Sequence, residues 1–191
     1  MKNPLGIHAL VWTGSWRHKD IDFAVGNSSK FGFDIIEIPL LNPYNFDADY
    51  TRKILEINKI NAVTSLGLSD ETDITSEDPE IRRNGVKLLS KALDMTYQLG
   101  SKYMGGVLYS ALKKYHAPPS KNAFQNSVEI IRDLCHKAEK MGIMIGKAIV
   151  KFLALLKIKG TTFVTKNQAI YRIIMRAKNA KHPVSLQKET C

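Results

Sequence analysis

The chain is poor in cysteine. Cys135 and Cys191 are the only two in 191 residues, too few and too far apart for a disulfide scaffold or a Cys-based zinc site. Reduced thiols and a cytoplasmic location are the expectation. A membrane-spanning run is missing as well. The longest apolar stretch, AIVKFLALLKI at 148–158, is interrupted by Lys151 and Lys157 and is too short to cross a bilayer. The N-terminal MKNPLGIHALVW has a Pro and a His where a secretory signal needs an unbroken apolar segment. No G-x-G-x-x-G follows the first apolar run and no G-x-x-x-x-G-K-[ST] occurs, so dinucleotide and P-loop chemistry lose their support.

The sharpest shortage is of acid. Between Glu139 and Glu189 lie 49 residues without an Asp or Glu. Up to Gly146 the chain has 18 Lys and Arg against 17 Asp and Glu, a net of +1. From Lys147 onward it has 10 against one, a net of +9. The formal +10 therefore belongs almost wholly to the last 45 residues. Excess positive charge suggests nucleic acid or an anionic membrane as a partner, and here that inference reaches only residues 147–191.

What is present, up to residue 146, is an alternation of short apolar strands and amphipathic helices. Strand character falls at 6–12, 34–40, 61–68 and 102–110, with GIMIG opening a fifth strand. Helical pattern falls at 20–31, at 47–59 with Ile54, Leu55 and Ile57 on its apolar side, from a Thr75 or Ser76 cap to about Leu99, and at 122–140. Strict alternation with short links predicts an α/β fold with parallel strands. A doubly wound sheet and a (βα)₈ barrel both fit.

In either fold, chemistry gathers at the C-terminal ends of the strands. On strand one, Gly6, His8 and Leu10 share a face, so His8 points inward and either hydrogen-bonds a substrate or is a satisfied core histidine. Trp12 and Trp16 follow that strand, either as an apolar wall against a sugar ring or packed under a loop. Glu37 lies near the end of strand two, where an ion pair with a neighbouring lysine is the plainer reading. Gly67 ends strand three, where a ligand hydroxyl can approach the backbone or the chain simply turns. Lys113, Lys114 and His116 follow strand four, as a phosphate site or, more simply, a solvated charge cluster. No spacing here makes a metal site or a nucleophile–base pair.

GFDIIEIPL, VTSLGLSDETDITSEDPEIRRNGVKLL, QLGSKYMGGVLYSA and KAEKMGIMIG, in that order and spacing, resemble the ketose 3-epimerases. These are the D-tagatose and D-psicose (allulose) 3-epimerase group of the xylose-isomerase-like TIM barrels. The resemblance covers residues 5 to about 146. It implies a (βα)₈ barrel that epimerises a free ketose at C3 through an enediolate held on a divalent metal, commonly manganese, with cobalt or magnesium as alternatives. It also implies two glutamates, on strands five and eight, that exchange the proton and ligate the metal together with an Asp and a His. The metal polarises the ketone and hydroxyl oxygens while a carboxylate on each face moves the proton.

Carried over residue by residue, His8 stands where the family often has a substrate-contacting aromatic, and Gly67 matches the glycine beside the sugar. Leu112 stands about where several members have a tryptophan. Substrate contact thus falls to His8, Gly67 and Trp12, and no residue is assigned to catalysis or to metal. After GIMIG the family continues with a Leu-Glu-Val-like run whose Glu is base and ligand. This chain reads Lys147, Ala148, Ile149, Val150, Lys151, Phe152 instead. The composition jump and the loss of resemblance coincide at Gly146–Lys147. A shifted reading frame or a mis-joined end is the favoured account, and a genuine divergent tail is the rival.

The expectation is a partial (βα)₈ TIM barrel at residues 1–146, four βα units and the start of strand five, followed by an unrelated basic tail at 147–191. It should be a truncated, inactive form of a ketose epimerase that binds no metal and is prone to self-association, with no specific nucleic-acid partner. The alternative is a non-catalytic binding module. In it QAIYRIIMRAK at 168–178 forms a basic amphipathic helix for an anionic membrane, an acidic partner or nucleic acid.

Overall fold

The computed structural model describes residues 4–113 and 115–147. Five strands, β1 (Gly6–His8), β2 (Ile35–Pro39), β3 (Asn61–Leu68), β4 (Tyr103–Ala111) and β5 (Met144–Lys147), alternate with four helices. These are α1 (His18–Lys30), α2 (Ala48–Ile57), α3 (Pro79–Gln98) and α4 (Lys121–Lys140). All neighbouring strands pair in parallel, in the order β1-β2-β3-β4-β5. The expected α/β architecture of four βα units and a fifth strand is the observed one.

The helix ends follow from named side chains. Asp47 caps α2 by accepting from the Tyr50 N–H, and Ser120 caps α4 through the Ala123 N–H. Gly100 and Gly142 follow α3 and α4 with φ of +79° and +63°, the left-handed region that a glycine enters without penalty. The α3 cap differs from the expectation. Asp78, not Thr75 or Ser76, takes the Glu80 N–H, with Pro79 next in the first turn. Thr75 is diverted instead into hydrogen bonds with Asp73.

Two more expectations need correcting. The first strand ends at His8 and not at residue 12, because His8 Nδ1 accepts the Leu10 N–H and winds Ala9–Val11 into a 3₁₀ turn. Leu10 therefore does not share a strand face with Gly6 and His8, and it is 47% exposed. On α2, Leu55 is buried, but Ile57 stands at the helix end, 63% exposed.

One face of the sheet lies under the helices. Ile36 and Ile38 pack with Ile21, Ala24, Val25 and Leu55 in one core, while Leu66, Leu68, Met104 and Leu108 pack with residues of α3 and α4 in another. Residues alternate across a strand, so the opposite, inner face carries His8, Glu37, Val63, Ser65, Gly67 and Tyr103. Cross-strand fit is tight at Gly106. It sits at φ +126°, and a Cβ there would lie 1.9 Å from the Leu66 carbonyl oxygen. Only glycine allows β3 and β4 to approach this closely.

Candidate functional site

At the C-terminal ends of β1 and β2, the loops that follow enclose a cleft of about 340 Å³. Ala9, Leu10, Trp16, Asn42, Asn45 and Phe46 are among its walls. Each wall has a structural cause. The 3₁₀ turn after β1 makes the floor. Trp16 is fixed by its Nε1–H, which donates to Thr51 Oγ1 at 3.2 Å. Asn42 opens the β2 loop by accepting the Tyr44 N–H with its own side chain. A hollow of about 360 Å³ on α3, among Pro79, Arg82, Arg83, Val86 and Lys87, lies on the helix surface away from the strand ends. The cleft at the strand ends is the better candidate, since convergent loops and strand termini are where such sheets bind ligands.

The residues expected to meet substrate are not brought together in one place. Trp16, not Trp12, lines the cleft. Trp12 stacks on Phe31, with ring centroids 5.7 Å apart, and its indole N–H is buried without a hydrogen-bond partner. Gly67 lies at a break in the β3–β4 ladder, where the pairing jumps from Gly67↔Val107 to Leu68↔Ala111. Leu112 leans over it: a methyl group on Gly67 would sit 3.6 Å from Leu112 Cδ2. The position where the resemblance implies a tryptophan thus holds an aliphatic cover over the glycine.

His8 does face inward, and its partner is Glu37, the residue paired with it across β1 and β2. His8 Nε2 lies 3.6 Å from Glu37 Oε1. Because Nδ1 already accepts the Leu10 N–H, the proton of the neutral ring belongs on Nε2, aimed at the carboxyl. Burial lowers the His8 pKa. Glu37 is 1% exposed, and neither carboxyl oxygen accepts a hydrogen bond of normal geometry, although the Ser65 hydroxyl lies close enough to act on it. Burial pushes its pKa up to about 7, with the Ser65 hydroxyl pulling part of the way back. No lysine pairs with it among the described residues. Glu37 is a desolvated acid beside a neutral histidine, a combination that clusters at functional sites.

In the loop after β4, the charge of Lys113 is already met by acids. Lys113 pairs with Asp70 and lies 3.9 Å from Asp73, and Lys114 lies outside the described residues. A feature that sequence reasoning missed is the tie between the loops after β3 and β4. The buried Asp73 carboxylate accepts from Tyr115 O–H, from Thr75 O–H and from the Thr75 N–H, while Tyr115 Oη accepts the Ala111 N–H. Burial alone would raise the Asp73 carboxyl, but Tyr115 and Thr75 outweigh it and hold the pKa below the usual value. No group of three or more His, Cys, Asp or Glu among the described residues can hold a metal ion. The described residues alone therefore do not supply a ligand set for the metal that the resemblance implies.

Comparison with known proteins agrees with this fold. Residues 25–147 match the family described as xylose isomerase-like TIM barrel. The chain is 37% identical over 146 residues to a ketose 3-epimerase of Arthrobacter globiformis, covering 76% of this chain and 50% of that protein. It is 41% identical over 145 residues to an L-ribulose 3-epimerase of Methylomonas sp. (strain DH-1), covering 76% and 51%. Among solved structures, a D-allulose 3-epimerase from Methylomonas sp. in complex with D-allulose superposes with a TM-score of 0.72 at 40% identity, covering 76% and 51%. The chain spans about half the length of the curated relatives it matches.

Proposed function

The chain belongs to the xylose isomerase-like TIM barrel family, and from that membership we propose that residues up to 146 form the substrate-side half of a ketose 3-epimerase that, as it stands, does not turn over. The ligand is a ketose sugar. Trp16 supplies an apolar wall and Asn42 and Asn45 supply amides, a pairing that suits a hydroxylated carbon chain. His8, Gly67 and Trp12 remain the expected sugar contacts of the wider barrel in this reading, although none of them lines this cleft.

One observation carries the loss of activity. The family match stops at residue 147, and where the resemblance puts the metal-binding base of strand five the chain reads Lys147, Ala148, Ile149, Val150 and Lys151. Without a carboxylate there, the C3 proton has no acceptor on that face and the divalent metal of the family, manganese by preference, loses a ligand. Residues 147–191 are then a non-native end on a barrel fragment, which this reading places in the cytoplasm. The segments 148–158 and 168–178, on which a membrane or acidic-partner module would rest, lie outside the described residues. No described helix is long and apolar enough to cross a membrane. To test the proposal, the purified chain is incubated with Mn²⁺ and D-fructose, D-psicose, D-tagatose or L-ribulose. No C3 epimer should appear beyond the metal-only control, and turnover above that control contradicts the reading.

A further inference from the structure

The buried carboxyl of Glu37 has no place in the function just proposed, yet it is joined to the cleft by a short chain of contacts. Glu37 Oε1 faces His8 Nε2 at 3.6 Å, and His8 Nδ1 accepts the Leu10 N–H at 3.1 Å. Leu10 and Ala9 belong to the 3₁₀ turn that floors the cleft. We propose that Glu37 is a positioning residue for the cleft: acting through His8, it holds the Ala9–Val11 turn in the form that receives the ketose. The inference rests on reading the cleft as the sugar site.

The geometry carries it in three steps. An N–H bonded at Nδ1 fixes which His8 nitrogen is protonated, so the ring can meet Glu37 only as a donor. The Glu37 oxygens accept no hydrogen bond of normal length, and His8 Nε2 at 3.6 Å and the Ser65 hydroxyl are the donors that face them, His8 alone linking the carboxyl to the turn. Rotation of the ring away from Glu37 would also withdraw Nδ1 from Leu10, and the turn would lose the bond that ends β1 at His8. Ionisation of Glu37 draws the Nε2–H toward it and stiffens this arrangement, whereas a protonated Glu37 holds it less firmly. From the neighbouring strands, β1 brings His8 and β3 brings the uncharged Ser65. No other charged side chain among the described residues comes within ion-pair distance of Glu37.

The test reads the coupling first without sugar. In the full chain, the ¹⁵N shifts of the His8 ring and the Leu10 amide are followed against pH, alongside the ¹³C shift of the Glu37 carboxyl. All three should inflect together near pH 7, and in Glu37→Gln the His8 and Leu10 inflections at that pH should vanish. In His8→Phe, the Glu37 carboxyl should still titrate while the Leu10 amide stops responding. A Leu10 amide that is flat in the parent chain, or that keeps the same inflection in either variant, overturns the proposal. D-allulose is then added across the same pH range. Affinity should rise as Glu37 ionises in the parent chain and be independent of pH in Glu37→Gln; a pH dependence that survives the substitution also overturns it. Coupled inflections with no D-allulose binding at any pH would instead remove the sugar-site reading on which the role depends.

Discussion

At the scale of single residues, Glu37 should dominate the response of stability to pH. Its folded pKa stands near 7 against an ordinary 4.5, so the folded state holds a proton that the unfolded chain releases. Stability is fully present below pH 4.5 and is lost as pH rises to about 7, after which it levels off. A shift of that size corresponds to about 3 kcal/mol. His8, whose pKa is lowered, works the other way and costs stability as pH falls below 6.5. Replacing Glu37 by Gln keeps the shape and removes the charge. Urea denaturation should show the variant more stable than the parent at pH 8, with the loss between pH 4.5 and 7 gone. An unchanged slope in that window would place the carboxyl in water. None of this was legible in the sequence. One Glu in a strand reads as a surface ion pair, and only the packing of β1, β2 and β3 reveals that no cation reaches it.

At the scale of elements, β3 and the C-terminal ends of α3 and α4 were legible, and β1 was not. Asn61–Leu68 is a short, largely apolar run bounded by turn signals, and Gly100 and Gly142 stop α3 and α4 where a left-handed residue is needed. β1 ends early because a side-chain nitrogen of His8 competes for a backbone N–H, which no periodicity records. The α3 cap was misplaced for a related reason. Thr75, Ser76 and Asp78 can all cap, and the choice is made by Asp73, which engages Thr75 and leaves Asp78 to the helix. Asp78→Ala should therefore cost about 1 kcal/mol of stability in chemical denaturation. The same substitution at Ser76 should cost less, since no helix N–H depends on it. The Asp73–Tyr115 tie spans 42 positions, and neither residue belongs to a recognisable motif. Gly67 kept its expected setting at the end of β3, but its facing partner, Leu112, comes from the far side of a break in the ladder.

At the scale of the whole molecule, the sheet of the described residues runs from β1 to β5 without returning to β1, and among them β1 and β5 are its two edges. Unpaired parallel edges invite pairing with another chain. Leu5, Val11 and Phe31, exposed around the β1 side, add apolar surface to that tendency. Sedimentation velocity should show concentration-dependent species larger than a monomer, and a sharp single monomer peak with a cooperative thermal transition would contradict it. The central claim is that the chain keeps a ketose-binding wall and lacks the proton-transfer group of strand five. The most direct measurement is proton exchange at C3: D-allulose is incubated in D₂O with the chain and Mn²⁺, and deuterium at C3 is followed by NMR. The account predicts no deuterium beyond the buffer and Mn²⁺ control, with the sugar recovered unchanged. Deuterium accumulating at C3 in proportion to protein would contradict it.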